Sequence, residues 1–198
     1  ESTTPLLKNL TKLIPDFRVA GGLVIWVQAL YDDLTEAQAP AGMTHNEKGS
    51  DKWLTSATHV YHISCCKSGT FGAEIHPDLR AVADIEKDKV VTKAYYSAFQ
   101  GTTELLDVLR GEKIQEAYFC GIASGTCVLA SVLHSVEYKE EFKIFVVADC
   151  LGYRRITNHE EAIERMGKLE DVAIVGRDDM KLGGQEEMSG WGHTAEEA

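Results

Sequence analysis

One stretch constrains this chain more than any other: Tyr118-Phe119-Cys120-Gly121-Ile122-Ala123-Ser124-Gly125-Thr126-Cys127-Val128-Leu129-Ala130. It opens as an apolar run of strand type and passes through a tight loop holding Gly121 and Gly125. It then takes up a helical period, with Val128, Val132 and Val136 on one face and Leu129 and Leu133 beside it. The loop delivers Cys127 to the first turn of the helix. A thiol there meets unpaired backbone N–H groups and the positive end of the helix dipole, both of which favour the thiolate. The same N–H groups suit the oxyanion of an acyl-transfer intermediate. Strand, glycine turn, nucleophile and helix together form a device for covalent catalysis. Read alone, Cys127 fits equally the commoner role of a small buried apolar residue.

The remaining apolar segments alternate between helix and strand. Thr4-Pro5 opens a helix carrying Leu6, Leu7, Leu10, Leu13, Ile14 and Phe17, with Pro15 expected to kink it and Gly21-Gly22 to stop it. Leu23–Val27 reads as a strand buried on both faces. Regular signals are weak from residue 29 to residue 88, where Trp53, Tyr61 and the glycines near Phe71 point to a folded excursion or a surface insertion. Val90–Thr92 is a short strand ending at Lys93. Thr103 caps a helix through Leu105, Leu106 and Leu109, closed by Gly111. Ile144–Ala148 is a strand ending at Asp149, and Asn158 with Glu161 forms an N-cap pair for a helix through Ala162, Ile163, Met166 and Leu169. Val172–Val175 is the last strand.

This order predicts an α/β fold of three α/β/α layers around a mostly parallel, doubly wound sheet. Chemistry in such sheets gathers at the carboxyl ends of the strands, where Lys93, Cys127 and Asp149 all fall. The domain is expected over residues 1–176, followed by an acidic, glycine-rich tail over 177–198 that contains Trp191.

Composition narrows the function. With 198 residues and 44% hydrophobic content the chain suits one domain with a sizeable core. A net charge of -11 argues against nucleic acid and against an anionic membrane surface as partners. Five cysteines with no Cys-x-x-Cys pair give neither a disulfide framework nor a structural zinc site, and a cytoplasmic location is expected.

Three motifs in order and spacing resemble the isochorismatase-like cysteine hydrolase superfamily, which includes nicotinamidases and N-carbamoylsarcosine amidohydrolases. They are Val91-Thr92-Lys93-Ala94-Tyr95-Tyr96-Ser97-Ala98-Phe99 with Gly101-Thr102, then Gly121–Val128, then Asp149 followed by His159-Glu160-Glu161-Ala162. The resemblance implies an Asp-Lys-Cys triad in which Cys127 is the nucleophile and Lys93 the supporting cation. It also implies a cis peptide between Ile122 and Ala123, and an oxyanion hole made by the N–H groups of Ala123 and Cys127. Tyr95, Phe99, Trp53 and Tyr153 are candidates to line an aromatic substrate pocket. Arg154 and Arg155 suit either a substrate carboxylate or solvent.

The resemblance also exposes a gap. The family's general-base Asp ends a first strand, in an Asp-x-Gln motif ahead of the first helix, and these 198 residues hold no such strand. That strand lies centrally in the family's sheet, so without it two inner edges are left unpaired. A preceding segment, a separate peptide, a strand donated by a partner, or rearrangement would each answer this. The zinc motif of nicotinamidases has no counterpart after Gln28, so neither metal nor cofactor is expected.

The implied function is a metal-free cysteine hydrolase of a small molecule, cleaving an amide or related bond or a vinyl ether, in a homo-oligomer. Two alternatives stand beside it. One is a catalytically impaired relative serving as an interaction subunit. The other is a redox thiol protein using Cys120 and Cys127.

Overall fold

A computed structural model describes residues 3–31, 66–101 and 104–180. The first helix, α1 (Thr3–Val19), buries Leu6, Leu10, Leu13 and Ile14 along one face. It runs through Pro15 to Val19, short of the expected stop at Gly21-Gly22, because apolar packing on either side of the proline outweighs one missing backbone bond. The chain leaves α1 at Gly21, whose φ of +87° an L side chain rarely adopts. Strand β1 (Ile25–Ala29) follows two residues later than the apolar run suggested.

The excursion contributes a 3-10 turn at Phe71–Ala73 and the short helix α2 (Pro77–Arg80) among the described residues. Strand β2 (Lys89–Lys93) ends where expected. Helix α3 (Leu105–Gly111) has Glu104 at its N-cap position with no side-chain cap bond, and Thr103 lies outside the described residues. Gly111 belongs to the helix, and the left-handed residue that closes it is Lys113, at φ 54°.

Strand β3 (Glu116–Ile122) leads through the turn holding Cys127 into α4 (Leu129–Ser135). Strand β4 (Lys143–Gly152) runs through Asp149 instead of ending there. Helix α5 (Ile156–Gly167) starts earlier than the Asn158–Glu161 pattern implied, so Asn158 lies inside it and Arg155 occupies the cap position. Strand β5 (Val172–Val175) closes the order.

All the strand pairs are parallel, and they fall into two sheets among the described residues. One is β1-β2 and the other is β3-β4-β5. The β3–β4 register slips between Phe119↔Val146 and Gly121↔Leu151, so β4 bulges around Asp149. The two faces of β4 organise the core. Ile144 and Val146 pack with residues of α3, α4 and α5, whereas Val147 packs with the apolar face of α1. This is a layered α/β architecture, with α1 and α2 on one side of the strands and α3 to α5 on the other.

Helix α1 also reaches the two-stranded sheet. Arg18 donates to both carboxylate oxygens of Asp88 at 3.0 and 2.9 Å, and the Trp26 indole N–H donates to the same group at 2.9 Å.

The apolar run of β1 predicted burial on both faces, and the structure departs from this; β3 is open in part as well. Val27 is 40% exposed, Ile122 is 52% exposed, and Cys120 is open to solvent. The physical reason is pairing: β1 bonds only β2 and β3 bonds only β4, so each keeps one edge without a strand among the described residues. Cys120 is crowded enough that burial raises its thiol pKa to about 11, although solvent reaches it.

Candidate active site

The carboxyl ends of β1, β2 and β3 converge on Cys127. Residues Ser124–Val128 form a single π-helical turn, and the regular helix starts only at Leu129. Cys127 therefore sits in a widened turn ahead of α4, a distortion that recurs at functional sites. The Ile122–Ala123 peptide bond is cis. The Ala123 carbonyl accepts from the N–H groups of Thr126 at 3.0 Å and Val128 at 3.2 Å, closing the turn around Cys127.

Two neighbours hold this turn. Gly125 packs so closely on α5 that a Cβ there would stand 3.0 Å from both the Cβ and the carbonyl oxygen of Asn158. His159 Nδ1 lies 3.0 Å from the buried hydroxyl of Ser124, and its ring stacks on Tyr153 at 4.6 Å. Burial lowers the His159 pKa, with a smaller opposing effect from Glu160.

Lys93, at the end of β2, is 8% exposed. Its ammonium donates to the carbonyls of Tyr95 and Tyr96, both at 2.7 Å, and lies 3.5 Å from the Tyr31 hydroxyl. Among the described residues no carboxylate forms an ion pair with it. A buried cation surrounded by neutral oxygens is costly.

The loop after β2 is fastened to the turn that holds Cys127. Ser131 donates to the Cys127 carbonyl at 2.7 Å and accepts from the Ala98 N–H at 2.9 Å. Ser97 lies 3.0 Å from His134 Nδ1.

The other sequence candidates separate clearly. Tyr95 stays beside the site, its ring against Gly101 and its carbonyl on Lys93. Tyr153 reaches it through His159. Phe99 is 7% exposed and packs among Phe119, His134, Tyr138 and Phe142. Trp53 lies outside the described residues.

Asp149 is also removed from the site, because its carboxylate accepts from the Arg177 N–H at 2.7 Å within the bulge of β4. Tyr31, just past β1, was not anticipated: its hydroxyl is 3.8 Å from Cys127 Sγ. The rule that chemistry gathers at the carboxyl ends of strands would have included it, had β1 been ended at Ala29.

Cys66, Cys120, Cys127 and Cys150 are all free. Burial raises Cys150 to about 12, as it raises Cys120 to about 11, so neither is a ready thiolate. Among the described residues no group of three or more His, Cys, Asp or Glu is placed to hold a metal ion. No helix of the described residues is long and apolar enough to cross a membrane.

With this geometry in place, comparison with known proteins assigns the family. The isochorismatase domain profile matches residues 1–175, and the chain belongs to that family. Ureidoacrylate amidohydrolase RutB of Klebsiella pneumoniae subsp. pneumoniae is 29% identical over 147 residues, covering 72% of this chain and 58% of that protein. RutB of Methylorubrum extorquens is 29% identical over 149 residues, covering 75% and 57%. The chain thus spans less than two thirds of the length of these relatives.

Among solved structures, nicotinamidase PncA from Bacillus subtilis aligns with a TM-score of 0.66 at 20% identity, over 88% of this chain and 86% of that one. N-carbamoylsarcosine amidase from Thermoplasma acidophilum aligns with a TM-score of 0.63 at 18% identity, over 90% and 86%. These likenesses establish the shared fold.

Proposed function

We propose that this chain carries the nucleophile half of a cysteine hydrolase acting on a small molecule with an amide-type carbonyl. The observation that carries this reading is the convergence of Cys127, in its π-turn after β3, with the buried Lys93 after β2, which has no ion pair among the described residues. The amidohydrolase names of the curated relatives favour an amide over a vinyl ether.

The Cys127 thiol gives its proton to a carboxylate base, and the thiolate adds to the substrate carbonyl carbon. The N–H groups of Ala123 and Cys127 receive the resulting oxyanion, as donors fixed by the turn rather than recruited from solvent. Collapse breaks the C–N bond, and the amine leaves with the proton held by the base. Water then gives a proton to the base and adds to the thioester. When the second oxyanion collapses, the acid is released and the sulfur leaves as thiolate, ready to be reprotonated. Lys93 stabilises the sulfur anion and the carboxylate in turn. Tyr95 and Tyr153 border the substrate, and no metal takes part.

The base is supplied, in this proposal, by an extended segment between β1 and β3. Among the described residues neither β1 nor β3 pairs with a second strand, and Cys120 on β3 is exposed. A strand completing the sheet would pair both edges and bring a carboxylate to Lys93.

The test is turnover of a panel of small ureido, N-carbamoyl and primary amide compounds, followed by ammonia or amine release. Release by the intact protein and none by Cys127→Ala is the expected result. If no compound turns over even with a sheet-completing strand present, the chain is an interaction subunit instead. The missing ion-pair partner of Lys93 would then reflect a lost base.

A further inference from the structure

Lys93 does not reach the nucleophile by itself. An ammonium has three donors. Two of those on Lys93 are directed at the Tyr95 and Tyr96 carbonyls, and among the described residues the third polar neighbour is the Tyr31 hydroxyl at 3.5 Å. That hydroxyl is 3.8 Å from Cys127 Sγ, and the Tyr31 ring lies beneath the ammonium, 5.9 Å from Nζ to its centroid.

The tyrosine is held firmly. It is 9% exposed, its N–H donates to the Cys66 carbonyl at 2.9 Å, and the preceding Leu30 N–H donates to the Lys93 carbonyl at 2.9 Å. The chain that positions the hydroxyl is therefore pinned to the end of the strand that presents the lysine.

We propose that Tyr31 is the hydrogen-bond donor that transmits the charge of Lys93 to the Cys127 thiolate. The phenol oxygen accepts from the ammonium while its O–H donates to sulfur, and polarisation by the cation strengthens the second bond. Tyr31 keeps its proton throughout, so the balance of the hydrolytic cycle is unchanged. Both contacts are long in the resting site, and such bonds tighten when charge develops on the nucleophile. Among the described residues, the histidines near the site are engaged elsewhere: His159 on α5 with Ser124, and His134 on α4 with Ser97. The inference rests on Cys127 as the nucleophile and does not depend on the substrate.

The test is the alkylation rate of Cys127 by iodoacetamide, read from its own peptide by mass spectrometry, from about pH 5 to about pH 10. In Tyr31→Phe the profile is expected to move up by about one pH unit, with a roughly tenfold slower rate near pH 7. Lys93→Met should move it comparably, and the double variant should add little to either. Site-specific 3-fluorotyrosine at position 31, a stronger donor of similar shape, should move the profile down. A profile in Tyr31→Phe that superimposes on the parent's, or a fluorotyrosine profile left in place, would overturn the proposal. A shifted profile without amide turnover would preserve it while refuting the hydrolase reading.

Discussion

The Nδ1 of His159 and the hydroxyl of Ser124 lie 3.0 Å apart, fastening α5 to the turn that presents Cys127. Cys127 is thus positioned by a helix beginning 29 residues after it in the chain, since α5 opens at Ile156. Burial depresses the His159 pKa below its ordinary value of 6.5, so folding favours the neutral ring. Its stabilising effect is complete above that value and is lost as pH falls through the folded-state pKa. Thermal midpoints should therefore drop between about pH 7 and about pH 5. In His159→Gln the drop should be shallower, by differential scanning calorimetry across that range.

Gly125 meets Asn158 at a distance that leaves no room for a side chain. Gly125→Ala should force the turn away from α5, at a stability cost of about 1–3 kcal/mol. Turnover should fall by about tenfold or more, because a small displacement of a nucleophile is amplified in rate. Urea unfolding and steady-state kinetics measure the two effects separately.

Lys93 offers the opposite pairing of effects. Its buried charge has no ion-pair partner among the described residues, so Lys93→Met should leave stability within about 1 kcal/mol of the parent or raise it. Turnover should fall by about a hundredfold or more. A large destabilisation would show that the lysine is a structural element.

Asp88 joins α1 to β1 and the loop before β2, accepting from Arg18, the Trp26 indole and the Asp84 N–H. Its side chain is 3% exposed, so Asp88→Ala leaves a guanidinium without its partner. A loss of about 3 kcal/mol is expected in urea unfolding.

Much of this arrangement was legible in the sequence because its signals are local. The strand ending at Lys93 and the glycine turn holding Cys127 are short patterns whose residues determine their own backbone. What escaped depends on tertiary contacts. Asp149 looked like a strand end, but pairing with both β3 and β5 carries β4 onward through a bulge. Asn158 had the side chain of a cap, yet α5 starts two residues earlier and uses Asn158 to brace Gly125. Phe99 belonged to a functional motif and proved to be core, since an aromatic cluster leaves no period of its own in the chain. Tyr31 carried no sequence signal beyond its place after a strand.

The central claim is that Cys127 forms a covalent bond with substrate. It is tested most directly by quenching the protein in acid during turnover of an amide and mapping its peptides by mass spectrometry. The expected result is the substrate's acyl mass on the peptide containing Cys127, and no such adduct in Cys127→Ala. Sustained turnover by Cys127→Ala, with no adduct in the parent protein, would contradict it.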